Sequence, residues 1–193
     1  DAPIRGCFIG RMVPYKGPDM LLEAATPFLQ DGSFALDMIG DGPMLNELKA
    51  LAAKNGVENG VKFHGWLQHD QVQKVAVQAN LLTFPSVREF GGGVVLEAMA
   101  LGVVPLICDY AGPGELVDEE TGYKIAMGTR SEIISRLRER LAAIIADPTP
   151  LPAMADAARE RALTHFTWSA KAEQVEQVYN WVLSRRPDKP VLV

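Results

Sequence analysis

The chain has 193 residues, of which 48% are hydrophobic and 22% are charged, values typical of one globular domain with a sizeable core or, at most, a small pair of domains. The net charge of −5 gives no basis for nucleic-acid binding. No apolar run reaches the roughly 18 residues that a membrane-spanning helix needs.

Short apolar runs alternate with helical patterns. The predicted elements, in chain order, are a strand at 4–10, a helix at 18–29, a strand at 34–40, a helix at 43–56, a strand at 61–66, a helix at 69–80, a strand at 81–86, a helix at 94–102, a strand at 104–109, a candidate last strand at 122–126, and helices from 130 to 185. This alternation predicts an α/β fold, a Rossmann-like open parallel sheet with helices on both faces and extra helices at the C-terminus.

We expect a single domain over residues 1–193, with its core at 4–126 and its C-terminal helices at 130–185. In an open parallel sheet, ligands bind outside the carboxyl ends of the strands. The candidate site therefore lies in the loops after the first four strands, which read GRMVPYKG, GDGP, HGWLQHD and SVREFGGG.

The common nucleotide fingerprints are absent from these loops. No G-x-G-x-x-G follows the first strand, GDGPML lacks the third glycine, and no GK pair exists to form a P-loop. A dinucleotide-binding fold and a P-loop NTPase are therefore disfavoured.

Three glycines, at 91–93, precede the predicted helix that carries Glu97, and Glu89 lies just before them. Bare backbone N–H groups at a helix start favour an anion site, although glycines also serve a tight turn. Carboxylates are acceptors that suit hydroxyl groups, and we expect Glu97 in the first turn of its helix. Solvated glutamates are the alternative. Together the pattern predicts a ligand with a phosphate between two hydroxyl-bearing groups, such as a sugar nucleotide.

Two bases follow the first strand in the loop GRMVPYKG. Arg11 and Lys16 should lie at the same edge of the sheet as the glycines. Arginine takes phosphate oxygens bidentately and lysine acts as a point charge, so the pair suits a diphosphate. Two solvated surface bases are the alternative.

The two cysteines, Cys7 and Cys108, lie in apolar strand-like runs, so we expect buried free thiols rather than a disulfide. The opening DAPIRGCFIG has neither a basic n-region nor a starting Met. We therefore expect a cytoplasmic protein and a piece of a longer chain.

A known family shares a series of segments with this sequence. In chain order they are GRMVPYKGPDMLLEA, MIGDGPMLNEL, VKFHGWL, ANLLTFPSVREFGGGVVLEAMALGVVPLICD, AGPGELV, TGY and, near the end, FTWSAKAEQVEQVY. Through them the chain resembles the C-terminal, donor-binding half of a retaining glycosyltransferase of GT-B family 4. The spacing of Glu89 and Glu97, combined with the Arg-Lys loop, is its most specific feature.

The resemblance implies a role for each candidate residue. Its implied sites are the donor diphosphate at Arg11, Lys16, Gly91, Gly92 and Gly93, the donor sugar at Glu89 and Phe90, the ribose at Glu97, and the base at Phe63, His64 and Leu67. Glu89 is the candidate catalytic residue. Many members place an aromatic residue one position later than Phe90, so the chain departs from the family pattern there.

The same resemblance implies the reaction and its partners. The family needs no bound metal, and this chain has no Asp-x-Asp motif. The expected donor is a nucleoside-diphosphate sugar, and the expected partner is an N-terminal acceptor domain that the chain lacks. We expect the isolated domain to bind the donor without transferring it, because transfer needs both reactants held together.

Two alternative functions stay open on the sequence. A sugar-nucleotide 2-epimerase shares the architecture, and a non-catalytic nucleotide-binding module would not read the sugar. The full-length protein is also a candidate for peripheral membrane contact.

In the family the last helix crosses onto the N-terminal half, so Trp168, Tyr179 and Trp181 would be left exposed here, unless they pack within this domain.

Overall fold

Six parallel strands form one sheet in the computed structural model, which describes residues 2–191. They are β1 (Ile4–Ile9), β2 (Phe34–Ile39), β3 (Val61–Gly65), β4 (Leu81–Phe84), β5 (Val104–Cys108) and β6 (Tyr123–Ile125), in the spatial order β3-β2-β1-β4-β5-β6. The predicted α/β class is confirmed, and the candidate strand at 122–126 is β6. Residues 1, 192 and 193 of the predicted domain lie outside the described residues.

Eight α-helices and one short 3-10 turn at Pro14–Lys16 connect and flank the strands in the described part of the chain. They are α1 (Pro18–Gln30), α2 (Leu45–Lys54), α3 (His69–Ala76), α4 (Gly93–Ala100), α5 (Ala111–Leu116), α6 (Arg130–Ala146), α7 (Leu151–His165) and α8 (Trp168–Val182). None of these helices is long and apolar enough to cross a membrane.

Local sequence signals explain where several helices begin. Gly17 takes a left-handed conformation with φ 67°, and Pro18 then occupies the first position of α1, where its missing N–H costs no hydrogen bond. Thr129 and Glu132 form a reciprocal capping box at the start of α6. These signals lie within a few residues of each helix start and can be read from the local sequence.

The core fills both faces of the sheet. Helix α6 packs against α1, and α7 packs against α4 and β5. The central strands β4 and β5 are wholly buried, as two-sided cover requires. Cys7 and Cys108 are buried free thiols, as predicted, and burial raises the pKa of each to about 12.

The strand order reverses between β1 and β4. The chain runs from β1 outward through β2 and β3, then returns to β4 and runs outward the other way through β5 and β6. The loops after β1 and β4 therefore both leave the carboxyl edge at this reversal, which is the usual ligand position in such sheets.

Candidate functional site

The loops after β1 and β4 are tied together by hydrogen bonds at the point where the strand order reverses. The Val87 N–H donates to the Tyr15 carbonyl oxygen at 2.8 Å. The buried Ser86 hydroxyl lies within 3.3 Å of the same oxygen and 3.2 Å of the Arg88 carbonyl oxygen. Ser86 is not among the residues predicted from the sequence, although a polar residue just beyond a buried strand is a usable signal.

A glycine makes this close approach of the two loops feasible. A Cβ added to Gly17 would lie 2.8 Å from the Pro85 carbonyl oxygen and 2.6 Å from the end of the Met20 side chain. The positive φ of Gly17 already disfavours any other residue. The backbone thus fixes where Lys16, the preceding residue, leaves the loop.

The structure brings Lys16 and Glu89, from the two separate loops, into direct contact. The Lys16 Nζ lies 3.1 Å from the Glu89 Oε2, and the side chains are 19% and 21% exposed. The same ammonium group lies 5.0 Å from the ring centroid of Phe84, within the range of a cation–π contact. A cation and a hydrogen-bond acceptor therefore stand together at the carboxyl edge of the sheet.

A cleft of about 690 Å³ opens outside the carboxyl ends of β1, β2 and β3. Neither Lys16 nor Glu89 is among its lining residues, although Gly10 in its wall lies next to the Lys16 stem. Its volume is within the usual range of ligand sites. It is lined by Ile9, Gly10, Arg11, Ile39, Gly40, Asp41, Gly42, Pro43, Trp66, Leu67 and Val72. Arg11 is exposed, so its guanidinium group is available at the wall of the cleft.

The glycines of the GDGP loop shape one wall of the cleft. A Cβ on Gly40 would overlap the Gly10 carbonyl oxygen, and a Cβ on Gly42 would lie 2.5 Å from the Met12 carbonyl oxygen. Asp41 holds the turn, since its Oδ1 accepts from the Gly42 N–H at 2.6 Å. The loops after β1 and β2 therefore run in backbone contact.

Only one glycine in the 91–93 run is required by the turn. Gly92 has φ 67° and caps α4, and a Cβ there would lie 3.0 Å from Leu116. Gly91 and Gly93 face open space, since a Cβ on either meets nothing within 4 Å. Among the described residues, the N–H groups of these three glycines have no hydrogen-bond acceptor. Bare donors at the helix start suit an anion.

Phe90 lies at the tip of the same loop and is 96% exposed. Its carbonyl oxygen accepts from the Gly112 N–H at 3.1 Å, so the start of α5 supports the glycine loop from behind. A Cβ on Gly112 would lie 2.9 Å from the Gly91 carbonyl carbon. Gly112 is not among the predicted site residues, because its necessity depends on a loop some 20 residues away.

The predicted position of Glu97 in the first turn of its helix is wrong. Helix α4 begins at Gly93, which places Glu97 fifth, and no acidic residue lies in the first turn. The reason is that Gly92 caps the helix, so Gly93 is already helical. Glu97 is exposed and lies one turn beyond the bare N–H groups.

The three residues predicted for the base are not brought together. Leu67 lines the cleft, whereas Phe63 packs against the core. The His64 Nε2 lies 2.6 Å from the Asp37 Oδ1, and Asp37 is also paired with Arg5 at 3.0 Å.

Strand alternation accounts for the position of His64. Lys62 pairs with Asp37, and residues two apart in a strand share a face, so His64 lies on the face of Asp37 and is not among the cleft-lining residues. Trp66, which the prediction omitted, lines the cleft and is 68% exposed. An aromatic residue in the loop after a strand was the sequence signal that could have predicted Trp66 as a cleft-lining residue.

No metal-binding cluster is evident between residues 2 and 191. No group of three or more His, Cys, Asp or Glu side chains lies close enough together to hold a metal ion there.

Comparison with known sequences identifies related proteins. The family profile described as "Glycosyl transferases group 1" matches residues 3–179. The 2-deoxystreptamine glucosyltransferase of Streptomyces kanamyceticus is 29% identical over 159 residues, which cover 82% of this chain and 40% of that protein. A GDP-mannose-dependent alpha-(1-6)-phosphatidylinositol monomannoside mannosyltransferase of Mycolicibacterium smegmatis is 29% identical, with 92% of this chain and 48% of that protein covered. The chain thus spans less than half the length of these two relatives.

Solved structures share the fold. The crystal structure of Anabaena Alr3699/HepE in complex with UDP and glucose matches with a TM-score of 0.78 and 22% identity, covering 95% of this chain and 49% of that one. The C-terminal domain of a glycosyl transferase group 1 family protein (LpcC) from Francisella tularensis matches with a TM-score of 0.74 and 21% identity, covering 86% and 89%. The Rossmann-like architecture is therefore that of GT-B glycosyltransferases.

Proposed function

The chain belongs to the group 1 glycosyl transferase family, and on that basis we propose that it is the donor-binding domain of a retaining glycosyltransferase. The proposed donor is a nucleoside-diphosphate sugar, and the acceptor is unspecified. The observation that carries the proposal is the contact of Lys16 with Glu89 at the reversal of the strand order. A cation that can pair with phosphate and a carboxylate that can accept from hydroxyl groups lie side by side there, which suits the junction of a diphosphate and a sugar.

The donor would extend in both directions from this junction. Arg11, Lys16 and the bare N–H groups at 91–93 would hold the diphosphate, with Glu89 on the sugar. The base would enter the cleft against Trp66 and Leu67, whose apolar surface suits a planar ring. Glu97 is retained as the proposed ribose contact, reached along the exposed side of α4.

These groups would favour departure of the diphosphate. Negative charge builds up on the leaving phosphate as the glycosidic bond breaks, and prepositioned cations and backbone donors stabilise that charge. Glu89 would orient the sugar beside the breaking bond, which is the role we propose for it as the candidate catalytic residue. We propose that these protein donors serve without a metal ion.

A second domain is part of the proposal. The chain spans less than half the length of the two relatives described above, and in α8 Trp168 is 93% exposed and Tyr179 62%. We propose that an N-terminal acceptor domain packs near α8, and that without it this chain binds the donor but transfers nothing. A cytoplasmic location, and peripheral membrane contact of the full-length protein, stay predictions.

Calorimetric titration of the chain with UDP, GDP and ADP, and with sugars of each, tests the proposal. One diphosphate should bind, and Arg11→Ala should weaken it about 10- to 100-fold, as expected for loss of a charged hydrogen bond. Arg159→Ala, on the exposed side of α7, is the matched control and should bind as wild type does. Affinity should be equal in Mg²⁺ and in EDTA. Absence of binding to all ligands at millimolar concentration would contradict the proposal.

A further inference from the structure

We propose that Lys16 is a positioning residue for Glu89, so that diphosphate recognition and sugar recognition are coupled through this one side chain. The inference rests on the proposed function and deepens it. A lysine that met phosphate alone would contribute equally to a nucleoside diphosphate and to its sugar conjugate. A lysine that also orients the sugar-reading carboxylate contributes more to the conjugate.

The hydrogen-bond inventory of the pair permits both roles at once. An ammonium group has three donors, and Lys16 uses one of them on the Glu89 Oε2 at 3.1 Å. The remaining donors are available to phosphate oxygens. The Glu89 Oε1 receives no hydrogen bond from any described residue, so it can accept from a sugar hydroxyl while Oε2 stays on Lys16.

The contact is held by its surroundings rather than by two freely moving side chains. The Lys16 stem runs over Gly10, where an added Cβ would lie 3.3 Å from Cδ, and its ammonium group faces the Phe84 ring. The backbones of the two loops are joined through Val87 and Tyr15, next to Lys16 in sequence. With about one fifth of each side chain exposed, the pair is screened less than an ion pair on the open surface.

Arg11 differs from Lys16 in this respect. It follows the same strand and lies at the same edge, yet it is exposed and forms no ion pair with any described carboxylate. Removing Arg11 should therefore weaken phosphate binding without disturbing Glu89. The chain thus contains a natural control, a second cation on the same loop that lacks the coupling contact.

Loss of Lys16 should leave Glu89 without its cation. The partly buried carboxylate would then turn toward water, because an unpaired charge is poorly tolerated away from solvent. In that position it no longer presents Oε1 to a sugar hydroxyl. The expected result is a donor site that still binds diphosphate weakly but no longer distinguishes a sugar conjugate from the bare nucleotide.

The decisive quantity is the sugar increment, defined as the dissociation constant of the bare diphosphate divided by that of its sugar conjugate. Calorimetry would measure it for wild type, Lys16→Met, Arg11→Met, Glu89→Gln and the double variant Lys16→Met/Glu89→Gln, using UDP, GDP or ADP with its glucose, N-acetylglucosamine or mannose conjugate. Thermal unfolding of each variant checks that the chain is folded.

The expected pattern is specific. Lys16→Met should lower the sugar increment about 5-fold or more, to the value of Glu89→Gln, and the double variant should lower it no further. Arg11→Met should weaken both ligands and keep the wild-type increment. Glu89→Gln tests the pair from the other side, since it should lose the increment while binding the bare diphosphate at least as tightly as wild type.

Three results would overturn the inference. If Lys16→Met keeps the wild-type sugar increment, Lys16 acts on phosphate alone. If Arg11→Met lowers the sugar increment as much as Lys16→Met does, the loss is a general effect of removing a positive charge. Wild-type binding of a diphosphate with no increment for any sugar would show that Glu89 reads no sugar. Failure of the wild-type chain to bind any diphosphate would overturn the proposed function as well.

Discussion

The joined parts of the loops at the carboxyl edge of the sheet and helix α8 differ in how many other segments of the chain contact them. At the edge, backbone groups from separate loops bond to one another, and Ser86 is 4% exposed. In α8 no residue is buried, and Trp168 is 93% exposed. Both segments carry aromatic and charged residues, so composition does not separate them. The difference lies in whether other segments of this chain reach them.

This contrast has an energetic meaning. A group held by several distant segments loses all of those contacts when it is altered, whereas a group facing solvent loses few. The edge positions that hold two loops together should therefore tolerate little change, and α8 should tolerate much. The exposed apolar side of α8 is the kind of surface that other proteins or domains cover.

The largest expected effect is at Gly40. A Cβ there would overlap the Gly10 carbonyl oxygen, and φ is +133°, so Gly40→Ala should lower the free energy of unfolding by about 3 kcal/mol or more. Gly32→Ala is the control, because φ is +78° but nothing lies within 4 Å. Its cost should be the conformational part alone, about 1 kcal/mol. Equal losses of unfolding free energy in Gly40→Ala and Gly32→Ala, measured by urea denaturation, would contradict the contrast between the joined edge and open positions.

Ser86→Ala should have a smaller but measurable effect. It removes the buried hydroxyl that lies within reach of the Tyr15 and Arg88 carbonyl oxygens, at a cost of about 1 to 2 kcal/mol. Ser135→Ala is the control, since Ser135 is exposed on α6 and should change stability by less than about 0.5 kcal/mol. Indistinguishable denaturation midpoints would show that the two loops do not depend on the hydroxyl.

The two sheet thiols predict a pH dependence. Burial raises the pKa of both to about 12 from 9.0, with the Asp37 charge adding to the effect at Cys7. Above pH 9 the unfolded chain releases these protons while the folded chain keeps them, so stability should fall as pH rises from 9 toward 12.

Alkylation provides the direct measurement. Iodoacetamide at pH 8 should leave both cysteines unmodified in the native chain and modify both in denaturant, because the thiolate is the reactive form. Native labelling at a rate similar to that in denaturant would contradict the burial. Cys7→Ala and Cys108→Ala would each remove one labelled site and assign the signal.

The smallest effect is expected in α8. Trp168→Ser should change the free energy of unfolding by less than about 0.5 kcal/mol despite the loss of a large aromatic group. Phe34→Ala is the contrast, because Phe34 is 1% exposed and its loss should cost about 3 to 5 kcal/mol. A large cost at Trp168 in chemical denaturation would mean that α8 is covered in solution by another copy of the chain.

The candidate site could be predicted in part because its position follows from the sheet. Lys16 and Glu89 lie in the loops that follow β1 and β4, and strand ends of a parallel sheet share one edge, so their proximity followed from local patterns. His64 lies at the end of β3 yet contacts Asp37, because the pairing of β3 with β2 that brings Asp37 near cannot be read from a single strand. The predicted place of Glu97 in its helix depended on a helix start at residue 94, whereas α4 begins at Gly93.

The sequence by itself determined the alternation of strands and helices, the burial of Cys7 and Cys108, and the loops that carry the polar residues, since periodicity and strand ends are local properties. The tertiary structure alone decided which glycines are indispensable, why Ser86 is buried, and that Trp66 rather than Phe63 lines the cleft. Those facts depend on distances between segments remote in the chain. The local sequence pattern determines the secondary structure of each segment, whereas its contacts with other segments are determined only by tertiary packing.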